Sequence, residues 1–224
     1  MNNAMFISLK NGLGAAEHVK SEWEKITARK DITGEDKANF KSHAVDQALK
    51  KINERKAEIW SNANAAADEA SSNLRRARAV DESELFKRAQ VVMPLLAGAG
   101  DEQLINMYKN QYHDSIARKL IEEAVSVKVM SSPNPESCPL YSKFIKLENS
   151  LQKHLPEKEQ EAIREDKKAK LRLEYADKSD YLLDLEAVEL DRQLKGGSLT
   201  TEEKVVSERL KVELDDIEKQ IRDS

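Results

Sequence analysis

Residues 171–221 read LRLEYADKSDYLLDLEAVELDRQLKGGSLTTEEKVVSERLKVELDDIEKQI, and this stretch decides the fold. Val206, Leu210, Leu214, Ile217 and Ile221 recur at steps of four, four, three and four. On a helix that spacing makes one apolar stripe. Leu173, Ala176, Leu183, Ala187, Leu190 and Leu194 hold a second stripe, interrupted by Asp180. Gly196 and Gly197 separate the two, and glycine accepts the left-handed conformation that closes a helix. Thr200 or Thr201 can cap the last helix. Glu202 and Glu203 then fall in its first turn, where the helix dipole favours acids. Two stripes joined by so short a turn pack antiparallel. The pattern predicts a helical hairpin over 156–223.

Length adds a constraint. At about 1.5 Å per residue, a helix over 157–195 spans roughly 58 Å and one over 201–223 roughly 34 Å. Folded back, the last helix ends near Ala176. Residues 157–170 are then left without a partner in the hairpin. They carry charge on nearly every face, the pattern of a solvated spacer or an assembly arm.

Upstream the same grammar repeats. Residues 1–14 read as a loose lead and 15–30 as a first helix carrying Ala16, Val19, Trp23 and Ile26 on one face. Thr33 with Asp36 resembles a capping box. It opens a long helix over about 34–80, with no proline inside. Val45, Leu49, Ile52, Lys56, Ile59, Ala63, Ala66, Ala70, Asn73 and Ala77 keep a heptad register along it. Its alanine-rich second half buries little surface, since each methylene-sized group contributes only ~0.8 kcal/mol. It therefore calls for a partner helix. Asp81 with Glu84 caps a short apolar helix to 97, which Pro94 kinks or ends, and a further helix runs over 102–129. Pro133, Pro135 and Pro139 bar a helix over 131–139. A last connecting helix covers 140–154. The expected fold is all-α, with elongated helical hairpins and coiled-coil packing. An N-terminal helical domain (1–130), a linker (131–139) and a C-terminal helical arm (140–224) are expected.

Composition supports exposed helices. Charged residues make up 35% of the chain and aromatics 5%, against a typical charged share of about 25%. Apolar residues at 39% argue against a disordered chain. The net charge of −4 gives no global pull toward nucleic acid or anionic membrane. No apolar run approaches the ~20 residues of a membrane span. The start lacks the pattern of a secretory signal, so a cytoplasmic location is expected. The single cysteine, Cys138, excludes an intrachain disulfide framework.

Candidate sites are few. No histidine or acid is patterned around Cys138 as a catalytic partner. His18, His43, His113 and His154 lie on separate helices and form no ligand pair, so no metal, cofactor or small-molecule substrate is expected. The expected activity is non-enzymatic, with association between copies and with other proteins through helical surfaces. Candidates for the self-contact are Trp60, Ala63, Ala66, Ala70 and Ala77 on the long helix. The hairpin adds Leu183, Leu190, Leu194, Leu210, Leu214, Ile217 and Ile221. The alternative is an adaptor that binds nucleic acid through Arg75, Arg76, Arg78, Lys87 and Arg88. Asp81, Glu82 and Glu84 interrupt that patch, which favours salt bridging over phosphate contact.

The stretch 88–102, RAQVVMPLLAGAGDE, joins a paired long-helix N-terminal half to a charged helical tail. That combination resembles small helical structural proteins of tailed bacteriophages and prophages. The resemblance implies self-association, binding to other phage proteins in particle assembly, no catalysis, and a place in the virion or host cytoplasm. No family motif is present to carry residue roles across.

Overall fold

A computed structural model describes residues 4–223, apart from the side chains of Glu136 and Leu194. The described chain is all-α. Its helices are α1 (Ala4–Gly12), α2 (Ala15–Thr27), α3 (Gly34–Ala77), α4 (Glu82–Ala97), α5 (Asp101–Gln111), α6 (Ser115–Met130), α7 (Pro139–Leu151), α8 (Glu157–Leu194) and α9 (Thr201–Asp223). Short 3-10 turns precede and follow α7. None of these helices is long and apolar enough to cross a membrane.

The ends are where local chemistry puts them. The Asp36 amide donates to Thr33 Oγ1 at 3.1 Å to open α3, and the Glu84 amide donates to Asp81 Oδ1 at 2.9 Å to open α4. Thr200 and Glu203 close a reciprocal box at the start of α9. Gly196 takes φ +77°, and the Gly197 amide returns to the Arg192 carbonyl at 2.9 Å, ending α8. Two expectations are corrected. The lead at 1–14 contains α1, whose Met5, Phe6 and Leu9 are buried. The helix expected over 102–129 is two helices. Asp114 breaks it by accepting from the amides of Ile116 and Ala117, both at 3.0 Å, so it caps α6 instead of continuing α5. Helix α4 ends at Ala97, as expected, three residues beyond Pro94.

The chain forms two compact units: Met1–Ser71 with Glu165–Ser224, and Ser72–Arg164. The division falls inside α3 and α8. It does not coincide with the boundary expected at 131–139, because α6, that linker and α7 all belong to the second unit. Phe144 and Leu140 of α7 share one apolar core with Leu104, Tyr108, Leu120 and Ile121.

In the first unit, α8 is the hub. Tyr175, Ala176, Leu182, Leu183 and Leu190 of α8 are buried with Val45, Ile52, Ile59 and Ala63 of α3. Phe6 and Leu9 of α1 and Leu210, Leu214, Ile217 and Ile221 of α9 complete that core. Gly12 sits so close to α8 that a Cβ there would lie 2.7 Å from Leu183 Cδ2. Helix α2 has no capping side chain of its own. Glu186 of α8 supplies one, accepting from the Ala16 amide at 2.8 Å.

Candidate functional site

Within the second unit, charged side chains from three helices and the end of α3 converge on two tyrosines. Arg118 and Glu122 come from α6, Glu148 from α7, Glu159 from the first turn of α8, and Arg78 from just beyond α3. Arg118 Nη2 donates to both carboxylate oxygens of Glu159, at 2.8 and 2.9 Å, and Nη1 donates to the Tyr112 carbonyl at 3.2 Å. Both partners are nearly closed to solvent, at 8% and 6% side-chain exposure. Arg78 Nη2 donates to Glu148 at 3.3 Å. Arg78 Nε lies 3.3 Å from Glu159 Oε1, close enough for charge attraction, but makes no hydrogen bond. Tyr108, fully buried, donates its hydroxyl to Glu122 Oε1 at 2.9 Å.

Helix geometry explains the convergence. Tyr108 and Tyr112 are four residues apart and stack edge-on, with ring centroids 5.5 Å apart, and Phe144 closes on Tyr108 at 4.5 Å. The Arg118 guanidinium lies 5.4 Å from the Tyr112 ring centroid. Burial among these rings raises the Tyr108 phenol well above its usual range, and Glu122 and Glu148 add to it. Burial also pushes the Tyr112 phenol up to about 12. The Glu122 carboxyl is raised by desolvation, with Glu148 pushing the same way, against the Tyr108 hydrogen bond and the two arginines. Burial works against the Arg78 charge, but Glu122, Glu148 and Glu159 outweigh it and raise its value. Three carboxylates thus share two guanidiniums in a low-dielectric space. Both Glu159 oxygens are occupied, so the arrangement ties α6 to the start of α8. Glu122 alone combines a raised carboxyl with partial exposure.

The residues singled out for self-contact fall largely inside the first unit. Ala63, Leu183, Leu190, Leu210, Leu214, Ile217 and Ile221 are buried in its core. Trp60 packs half-buried against the same core. Ala70 is buried, and Ala66 and Ala77 are half-buried. The Leu194 side chain is outside the described residues. As folded, the hairpin stripes cover each other and α3, leaving none of those buried side chains for a second copy. Residues 157–170 are not a bare spacer either, since Glu159, Ala162, Ile163 and Ala169 are buried.

The basic patch is only partly open. Arg78 serves the buried cluster, and Arg88 bridges Glu84 at 3.1 Å and Asp114 at 2.6 Å. Arg76 donates to Asn73. Arg75 and Lys87 are exposed. Cys138 is a half-buried free thiol. Among the described residues, no three His, Cys, Asp or Glu side chains are grouped to hold a metal ion.

What the surface offers instead is apolar side chains facing water. On α4, Phe86, Val91 and Leu95 are 66%, 68% and 69% exposed. Leu96 of the same helix is buried. Arg88 meets Asp114 at the start of α6, and Lys128 near its end reaches the Ala99 carbonyl and Asp101. Helices α4 and α6 therefore run in the same direction, and exposed Val127 and Met130 share the end that carries Leu95. In the first unit, a cleft of about 390 Å³ is lined by His18, Phe40, Ala44, Gln47 and Lys51 among others.

The acidic half of the buried cluster was visible in sequence only as charges. Arg118 lies 41 residues from Glu159, and its place beside Leu120 and Ile121 was the one available hint. Compared with protein-family models, curated proteins and solved structures, the chain matches none.

Proposed function

We propose that this chain is a non-enzymatic assembly protein that pairs with copies of itself and docks on other proteins through helix faces. The carrying observation is the α4 face. Three large apolar side chains on one helix stay about two-thirds exposed while the same helix buries Leu96 in the core. Contiguous exposed apolar surface of this kind marks interaction sites. Val91 and Leu95, four residues apart, share one side of α4. Two α4 helices crossing antiparallel would set Val91 of each copy on Leu95 of the other, the self-complementary arrangement of a two-fold contact. A stable dimer needs roughly 800 Å² per partner. Val127 and Met130 on α6 extend the apolar surface toward that size. The resemblance of 88–102 to phage structural proteins fits this reading, with particle assembly as its setting.

Light scattering across a concentration series tests it. The mass should rise above that of one chain. The variant Phe86→Ser/Val91→Ser/Leu95→Ser, altered only at exposed positions, should stay at one chain with unchanged helicity. A wild-type mass of one chain at every concentration would overturn the reading.

A further inference from the structure

Helix α8 is enclosed on most of its circumference, and its one open seam is regular. From Lys170 to Asp191 the exposed residues are Lys170, Glu174, Asp177, Tyr181, Asp184, Val188 and Asp191, at alternating steps of four and three. Every other residue of that span is buried or half-buried. Alternating four and three is the spacing by which one helix presents a stripe to another. The seam runs in a trough with two walls. On one side, Lys56 of α3 bridges Asp180 at 3.2 Å and Asp184 at 2.7 Å. On the other, Lys178 reaches Glu213 of α9 at 2.6 Å.

The chemistry of the seam selects an occupant. Tyr181 and Val188, seven residues apart, are 51% and 37% exposed, so the floor has an apolar centre. Four carboxylates, Glu174, Asp177, Asp184 and Asp191, are spread along it. Asp184 and Asp191 face lysines, and Glu174 shares Lys178 with Glu213, so the seam stays net acidic, with Asp177, on the N-terminal side of Tyr181, in no ion pair among the described residues. Two such seams brought together would oppose like charges, so a second copy of this chain is a poor fit. We propose that the α8 seam docks a lysine- or arginine-bearing amphipathic helix of another protein. Its apolar residues would cover Tyr181 and Val188, and its cations would meet Glu174 and Asp177. This surface is separate from the α4 face and stands or falls independently of it.

The test is fluorescence anisotropy of the full chain with a labelled synthetic helical peptide of leucine and lysine in a seven-residue repeat. A matched leucine–glutamate peptide is the control. The lysine peptide should bind, more weakly as salt rises, and the glutamate peptide should not. Tyr181→Ser/Val188→Ser and, separately, Asp177→Lys should each weaken binding by about tenfold or more. Phe86→Ser on α4 should leave it unchanged. The proposal is overturned if the lysine peptide fails to bind at low salt or both peptides bind equally. It is also overturned if the seam variants bind like wild type, or if Tyr181→Ser/Val188→Ser lowers the mass of the self-associated chain.

Discussion

At the scale of single residues, the Arg118–Glu159 pair is the most consequential contact. Removing one partner of a buried pair strands the other charge, at a cost of about 3–5 kcal/mol. Arg118→Ala should therefore destabilise the second unit by that amount in urea titration. Replacing both partners, as Arg118→Met/Glu159→Leu, should recover much of the loss, since buried pairs are replaceable by apolar side chains. A single variant no more costly than the double one would show that the pair is not what ties α8 to α6.

Glu122 sets a pH dependence of known sign. Its carboxyl is raised in the folded chain, chiefly by desolvation. Between the ordinary glutamate value and the raised one, the folded state binds more protons than the unfolded state. Its contribution is therefore fully present in acid and is lost as pH rises through the folded value. Glu122→Gln keeps an oxygen for the Tyr108 hydroxyl and removes the titration. The variant should melt at a temperature that depends less on pH above the ordinary glutamate value, with the largest gain over wild type near neutrality. Scanning calorimetry at a series of pH values reads this, and parallel curves would refute it.

At the scale of elements, the hairpin was legible and its purpose was not. The stripes of α8 and α9 stood out because each residue recurs at helical spacing, and Gly196, with φ +77°, marks their division. What spacing cannot show is how many helices a stripe serves. Leu183 reads equally well as a contact between copies. In the fold it is closed to solvent by α1, α3 and α9 together, against Gly12. Leu183→Ala should cost about 2–5 kcal/mol, read as a lower midpoint in denaturant. If Leu183 were a contact between copies, that cost would vanish on dilution. The break between α5 and α6 was missed for a related reason. Ile105, Tyr108, Tyr112, Ile116 and Leu120 sustain the apolar period across it, while Asp114 caps from outside the stripe. The lead at 1–14 was misread because α1 is short, and its stability comes from burial against α3 and α8 more than from its own sequence.

At the scale of the molecule, the composition already pointed to helices, and the two compact units are not separable by linear reading. Their division cuts α3 and α8 where neither sequence shows a glycine or proline. The candidate site was less legible than the fold. Arg78 looked like part of a phosphate-binding patch, yet its partners Glu148 and Glu159 arrive from α7 and α8. Exposure, too, is a property of the assembled surface. Phe86 and Leu95 fall in the short apolar helix expected to be central to the core, and only packing shows that they, with Val91, stay exposed.

The central claim is that this uncovered side of α4 meets a second copy of the chain. Amide hydrogen exchange measured on dilute and concentrated protein addresses it directly. Exchange across 86–95 should slow at high concentration, with Val127 and Met130 protected alongside, while the α8–α9 hairpin stays unchanged. Identical exchange of α4 at both concentrations, or protection confined to the hairpin, would contradict the account.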